Sequence, residues 1–169
     1  MNAGPVSAFI GLGANLGDLA GTLRAALAAL AGLPHTRLVA VSSAYRTAPV
    51  EAGGPDYMNA VARLETALTP EALLQALQAI EQAHGRERPY PNAPRTLDLD
   101  LLLHGDASLQ GERLTLPHPR LQQRAFVLHP LLELAPALQA PGLGPLSAYL
   151  PGVADQTVER LDLSLAPSR

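Results

Sequence analysis

A chain of 169 residues that is 47% hydrophobic is long enough to bury one core and short for two. Its formal net charge of -3 excludes the broad basic field that a non-specific nucleic-acid binder needs, so no nucleic-acid partner is expected. The absence of cysteine removes disulfides and thiolate metal sites, leaving oxygen and imidazole as metal donors.

The first residues, MNAGPVSAFIGLGANLGD, have no basic flank, and no stretch approaches the roughly 18 apolar residues of a membrane helix. A cytoplasmic protein without membrane contact is the expectation, organised as a single domain over residues 1–163 with a flexible tail at 164–169.

In chain order, VSAFIGL (6–12) reads as a strand ending at glycines, followed by a helix with Leu19, Leu23, Leu27 and Leu30 on one stripe. Asn15 and Asp18 are turn or cap residues between them. RLVAVSSAYRT (37–47) and DYMNAVARLETAL (56–68) are rich in strand formers. The second alternates Met58, Ala60, Ala62 and Leu64 on one face with Tyr57, Asn59, Val61 and Arg63 on the other. TPEALLQALQAIEQAHG predicts a helix with Thr69 as N-cap, Pro70 at its first position, Glu71 in the first turn and Gly85 just past its end. An Arg- and Pro-rich loop, RERPYPNAP, precedes a strand in PRTLDLDLLL, and the Pro-rich last third carries short helices near 119–124 and 126–135.

The order βαββαβ plus a C-terminal extension predicts an α+β, ferredoxin-like antiparallel sheet with both helices on one face and the other face free.

Strand alternation puts Asp98 and Asp100 on one side, their Cα atoms about 6.6 Å apart, and Leu97, Leu99 and Leu101 on the other. A half-solvated strand accounts for an isolated D-x-D. Here Arg86, Arg88 and Arg95 stand just upstream, and two carboxylates close together suit Mg²⁺ shared with substrate phosphates. Carboxylates for metal and guanidinium groups for non-bridging oxygens are what phosphoryl transfer requires. His118, between Pro117 and Pro119 with Arg120 and Arg124 following, is a candidate phosphate contact; the remaining histidines read as structural. Gly11, Gly13 and Gly17 also offer a variant dinucleotide loop. The next strand lacks the acid that such a loop expects, so GLGANLGD is read as a tight turn and helix start.

GLGANLGD, VSSAYRTAPV, PDYMNAV, PRTLDLDLLL and LPHPRLQQRAFVL, in this order and spacing, resemble the 6-hydroxymethyl-7,8-dihydropterin pyrophosphokinase family of folate biosynthesis over about residues 6–150. The resemblance implies transfer of the β,γ-pyrophosphoryl group of ATP to the pterin hydroxymethyl group, with two Mg²⁺ ions held by Asp98 and Asp100. It implies catalytic roles for Arg86, Arg95, Asp98 and Asp100. For ATP it implies Gln78, Glu81, Arg86, Arg88, Arg113, Leu114, Thr115, His118 and Arg124; for the reduced pterin, Thr47, Ala48, Val50, Tyr57, Asn59 and Phe126. A flat heterocycle independently suits Tyr57 and Phe126 as faces and Asn59 as a donor and acceptor edge.

The chain departs from some members of that family in having no Trp in the third loop, which is one residue shorter, and Pro119 after the motif histidine. Two alternatives stand beside this reading: a different diphosphokinase or kinase using the same metal chemistry on another heterocyclic alcohol, or a non-enzymatic ferredoxin-like ligand-binding module. A monomer is the expected state and a homodimer the alternative. The loops TAPVEAGGPD and RERPYPNAP are expected to act as lids.

Overall fold

A computed structural model describes residues 5–15, 18–47, 56–84 and 97–165. The elements in chain order are β1 (Val6–Ala14), α1 (Leu19–Ala31), β2 (Thr36–Val41), β3 (Tyr45–Thr47), β4 (Tyr57–Thr66), α2 (Pro70–Ala83), β5 (Asp98–His104), β6 (Leu109–Gln110), β7 (Thr115–Leu116), α3 (Ala125–Leu134), β8 (Gln139–Ala140), β9 (Gly144–Pro145) and β10 (Val158–Arg160). Short 3-10 helices occupy Leu121–Gln123 and Leu146–Val153.

The main sheet has six strands in the order β10-β3-β4-β1-β5, with β2 also pairing β4, and every pairing is antiparallel. Helices α1 and α2 form as their caps and apolar stripes predict. The Asp18 carboxylate accepts the Gly21 N–H at 3.0 Å and the Thr69 hydroxyl accepts the Ala72 N–H at 3.1 Å, each satisfying an amide that the first helical turn would otherwise orphan. Leu23, Leu27 and Leu30 of α1 and Leu73, Leu77 and Ile80 of α2 pack with Ala8, Ile10, Leu12, Ala60, Ala62, Leu64, Leu97, Leu99 and Leu101. Truncating a fully buried member such as Leu27 or Leu77 to Ala would cost about 2–5 kcal/mol.

Three expectations are corrected. The face opposite α1 and α2 is not left free: α3 and the two 3-10 segments cover part of it through Leu121, Ala125, Val127, Leu128, Leu131 and Leu146, packed on Phe9, Val61, Leu102 and Leu103. A break in the alternation of β5 makes this possible. A register shift between Phe9 and Ile10 sets Leu103 opposite Phe9 and Leu101 opposite Ile10, leaving Leu102 as the extra residue. Leu102 and Leu103 therefore both join the second core, next to the acids' side.

The GLGANLGD segment is not a turn at its first glycines. Gly11 and Gly13 lie inside β1, paired with both β4 and β5, which removes the dinucleotide-loop reading. The expected strand 37–47 is two strands, because the Ser42 hydroxyl accepts the Val61 N–H and donates to the Ser43 carbonyl, replacing ladder bonds with side-chain ones. The described chain runs to residue 165. Leu165 is 1% exposed in the first core, and the Ser164 carbonyl accepts a bond from Arg24. The loops expected to act as lids and the helix stop at Gly85 lie wholly or mainly outside the described residues, as do Ala48, Val50, Arg86, Arg88 and Arg95.

Candidate active site

The uncovered part of the second face is laid out by strand register. Asp98 on β5 is the Cα partner of Gly13, Gly13 is the partner of Asn59 on β4, and Asn59 is the partner of Tyr45 on β3. In the adjacent row Asp100 partners Gly11, and Gly11 partners Val61. Neighbouring strands are about 4.8 Å apart, so the Cα atoms of Asp98 and Asn59 stand about 10 Å apart across a strand that contributes no side chain at that position or at Gly11 beside Asp100. The result is a trough with carboxylates on one wall and a carboxamide on the other.

The glycines keep it open. A Cβ on Gly13 would stand 3.0 Å from Asn59 Nδ2, while one on Gly11 would only touch Leu102. Sequence reading missed this role because a glycine pair after a strand reads as a turn. The available signal was that GLG continues the β1 alternation, with Ala8, Ile10, Leu12 and Ala14 all turned to the helices.

The acids are half-buried, and the leucines flanking them point into the first core. Behind β5, the buried Glu81 of α2 accepts the Leu99 N–H at 2.9 Å, so it braces the outer edge of the strand between the two acids. Its neighbour Gln78 instead opens onto a groove of about 460 Å³ between α2 and the β6–β7 hairpin, lined also by Leu109, Arg113 and Leu114. That volume lies within the range of roughly 300–1,000 Å³ typical of small-molecule sites. Thr115 follows Leu114 on β7.

Past the hairpin, the His118 N–H donates to the Leu102 carbonyl at 2.9 Å and its Nδ1 accepts from the Arg120 N–H at 3.2 Å. The neutral ring therefore presents Nε2–H. Burial pushes the His118 pKa down; Asp100 opposes this, and Arg124 and Arg120 add to it. That interplay places His118, Asp100 and Arg124 in one electrostatic neighbourhood. The Arg124 guanidinium in turn lies over the Phe126 ring, 5.5 Å from its centroid, joining a nucleotide candidate to a pterin candidate.

On the far wall, Thr47 Oγ1 donates to Asn59 Oδ1 at 2.9 Å, and Tyr57, the partner of Thr47, is half-buried on the same face. Among the described residues the fold thus forms three groups: Asp100 with His118 and Arg124, Gln78 with Arg113 and Leu114, and Thr47 with Asn59 and Tyr57. Glu81 is the exception: it faces the core side of β5.

The sequence model of 7,8-dihydro-6-hydroxymethylpterin-pyrophosphokinase (HPPK) matches residues 9–136. A 2-amino-4-hydroxy-6-hydroxymethyldihydropteridine pyrophosphokinase of Pseudomonas aeruginosa is 47% identical over 154 residues, covering 90% of this chain and 95% of the relative. The chain belongs to the HPPK family.

A second HPPK, from Haemophilus influenzae, is 42% identical over 158 residues, covering 93% of this chain and 99% of its own length. Among solved structures, an HPPK-DHPS in complex with substrates superposes with a TM-score of 0.70 at 12% identity, over 90% of this chain and 44% of that one. The likeness is one of fold: a mixed α/β architecture with an antiparallel sheet, of which this HPPK-family chain spans less than half the length of its fused neighbour. No helix among the described residues is long and apolar enough to cross a membrane.

Proposed function

We infer that the protein transfers the pyrophosphoryl group of ATP to 6-hydroxymethyl-7,8-dihydropterin, giving AMP and the pterin diphosphate, in folate biosynthesis. The observation that carries this reading is the acid pair Asp98 and Asp100 standing across Gly13 and Gly11 from Asn59, in a chain 47% identical to a pterin pyrophosphokinase. In this reaction the pterin hydroxymethyl oxygen attacks the β-phosphorus, the bond from that phosphorus to the α,β-bridging oxygen breaks, AMP leaves, and the hydroxyl proton passes to solvent.

The residues divide the work by chemistry. Asn59, held by Thr47, binds the edge of the pterin, and Tyr57 and Phe126 provide its aromatic faces. The Gln78, Arg113 and Leu114 groove takes the nucleoside end of ATP, with Thr115 beside it, and His118 and Arg124 contact the phosphates. Glu81 serves the nucleotide site indirectly, by keeping β5 straight. Arg86, Arg88 and Arg95, together with Ala48 and Val50, complete the set by family resemblance.

The oxygen-only, half-exposed pair Asp98 and Asp100 fits Mg²⁺, which is held by one or two carboxylates plus substrate phosphates. Two such ions, when bound there, supply charge that offsets the triphosphate and polarises the transferred group. The strand order β5-β1-β4 followed by β2 and β3 supports a ferredoxin-like arrangement, and we read the chain as one cytoplasmic, monomeric domain.

Incubation with ATP, Mg²⁺ and 6-hydroxymethyl-7,8-dihydropterin, followed by separation of the nucleotides, tests the reading. AMP and pterin diphosphate in equal amounts are expected. ADP as the nucleotide product, or no turnover of this pterin, would overturn it.

A further inference from the structure

We propose that Glu133 is a positioning residue for the pterin site, fixing the distance between the helix that carries Phe126 and the sheet wall that carries Thr47 and Asn59. The inference rests on the pterin reading above.

Glu133 lies near the end of α3, seven residues and about two turns from Phe126, so the two side chains leave the helix on nearly the same side. Its carboxylate accepts the Tyr45 hydroxyl at 2.6 Å, the Ser43 N–H at 2.9 Å and the Ser43 hydroxyl at 3.1 Å. Arg160 of β10 stands 3.7 Å away and also donates to the Ser43 hydroxyl at 3.0 Å.

The hydrogen-bonding anchors Ser43 and Tyr45 fall on the segment that leads into the pterin wall, and Arg160 reaches it from the paired strand β10. Tyr45 is the Cα partner of Asn59, and Thr47, two residues on, bonds Asn59 directly. A purely apolar contact between α3 and the sheet could slide by a fraction of an ångström, whereas a carboxylate with three donors, the N–H and hydroxyl of Ser43 and the hydroxyl of Tyr45, fixes both distance and rotation. A flat ring bound between Phe126 and the Asn59 edge is sensitive to such a slip. The side chain is only 20% exposed, and burial of an acid needs a reason of this kind. None of these groups touches the acid pair or the Gln78 groove, so their influence should fall on one substrate and not the other.

Steady-state kinetics of Glu133→Gln and Tyr45→Phe, with melting temperatures for both, separates positioning from general support. The expected result is a pterin KM raised about tenfold in Glu133→Gln and less in Tyr45→Phe, with the ATP KM within about twofold of the starting protein, in line with loss of charge-assisted hydrogen bonds. The double variant should be no worse than Glu133→Gln, since both remove one link. If Glu133→Gln does not fold, Tyr45→Phe decides alone. An unchanged pterin KM, or equal increases for both substrates, would overturn the positioning role.

Phe126→Ala serves as the control. If it raises the pterin KM while Glu133→Gln and Tyr45→Phe do not, the inference alone fails. If the unaltered protein forms no AMP, the pterin reading fails and the inference with it.

Discussion

Thr47 Oγ1 donates to Asn59 Oδ1 at 2.9 Å, and the amide nitrogen of Asn59 is then the end turned over Gly13. The carboxamide enters the trough with its donors leading. A side chain that could rotate freely would offer acceptor and donor equally; here the Thr47 hydroxyl has made the choice. Thr47→Val, close in shape, removes that constraint. The pterin KM of this variant should rise about three- to tenfold with little change in the ATP KM, measured by varying each substrate at saturation of the other.

Gly13→Ala addresses the opposite side of the same amide. The added methyl would stand 3.0 Å from Asn59 Nδ2, tighter than an ordinary contact, and the backbone there is regular strand that alanine can adopt. Pterin affinity should fall about tenfold by calorimetric titration while the melting temperature changes little. Gly11→Ala, which meets only Leu102 at 3.5 Å, is the milder comparison.

How far these features could be read from the sequence follows the range of each interaction. Asp98 and Asp100 were legible because strand alternation is local and three leucines mark the other face. The Thr69 and Asp18 caps were legible for the same reason, each bonding an amide three residues on. The trough was not, since it depends on which strands flank β1, and a glycine carries no sign of its neighbours. Nor was the Glu133 network, whose partners lie 88 and 90 residues away. The short strand β10 has only Val158, Glu159 and Arg160, two of them exposed, and its pairing with β3 leaves no periodic signal.

Glu81 gives a prediction about stability. Its carboxylate satisfies the buried Leu99 N–H on the outer edge of β5. Glu81→Ala should leave that donor without its acceptor and lower the unfolding free energy by about 1–3 kcal/mol, read from urea denaturation. Glu81→Gln keeps an acceptor oxygen and should lose less. Both should also slow turnover, because the bond lies on the peptide between the two acids.

The Glu133 and Tyr45 pair predicts a dependence on pH. Burial works against the Glu133 charge, but the Tyr45 hydroxyl, the Ser43 N–H and hydroxyl and the Arg160 guanidinium outweigh it and hold its pKa below the usual carboxylate value. Burial, with the bond to Glu133 and its charge, raises the Tyr45 pKa well above that of a free phenol. The Glu133 contribution to stability is therefore present above the unfolded carboxylate value of about 4.3 and is lost as pH falls through its lower folded value. That of Tyr45 is present below about pH 10 and is lost as pH rises through its higher folded value. Stability of the unaltered protein relative to Glu133→Gln, followed by denaturation from pH 7 to pH 3, should show a gap that narrows below about pH 4. A gap that widens on acidification would contradict the network.

The central claim is that pyrophosphoryl transfer takes place on the sheet face that carries Asp98 and Asp100. It is tested most directly by the rate of AMP formation in Asp98→Ala and Asp100→Ala at saturating ATP, Mg²⁺ and 6-hydroxymethyl-7,8-dihydropterin, alongside circular dichroism of each variant. Both acids are half-buried and turned away from the first core, and the core packing of β5 comes from its leucines, so each variant should keep the native spectrum. Each should lose about a thousandfold or more in turnover, the loss of several kcal/mol of charge stabilisation. Turnover within a few-fold of the unaltered protein in either variant would contradict the account.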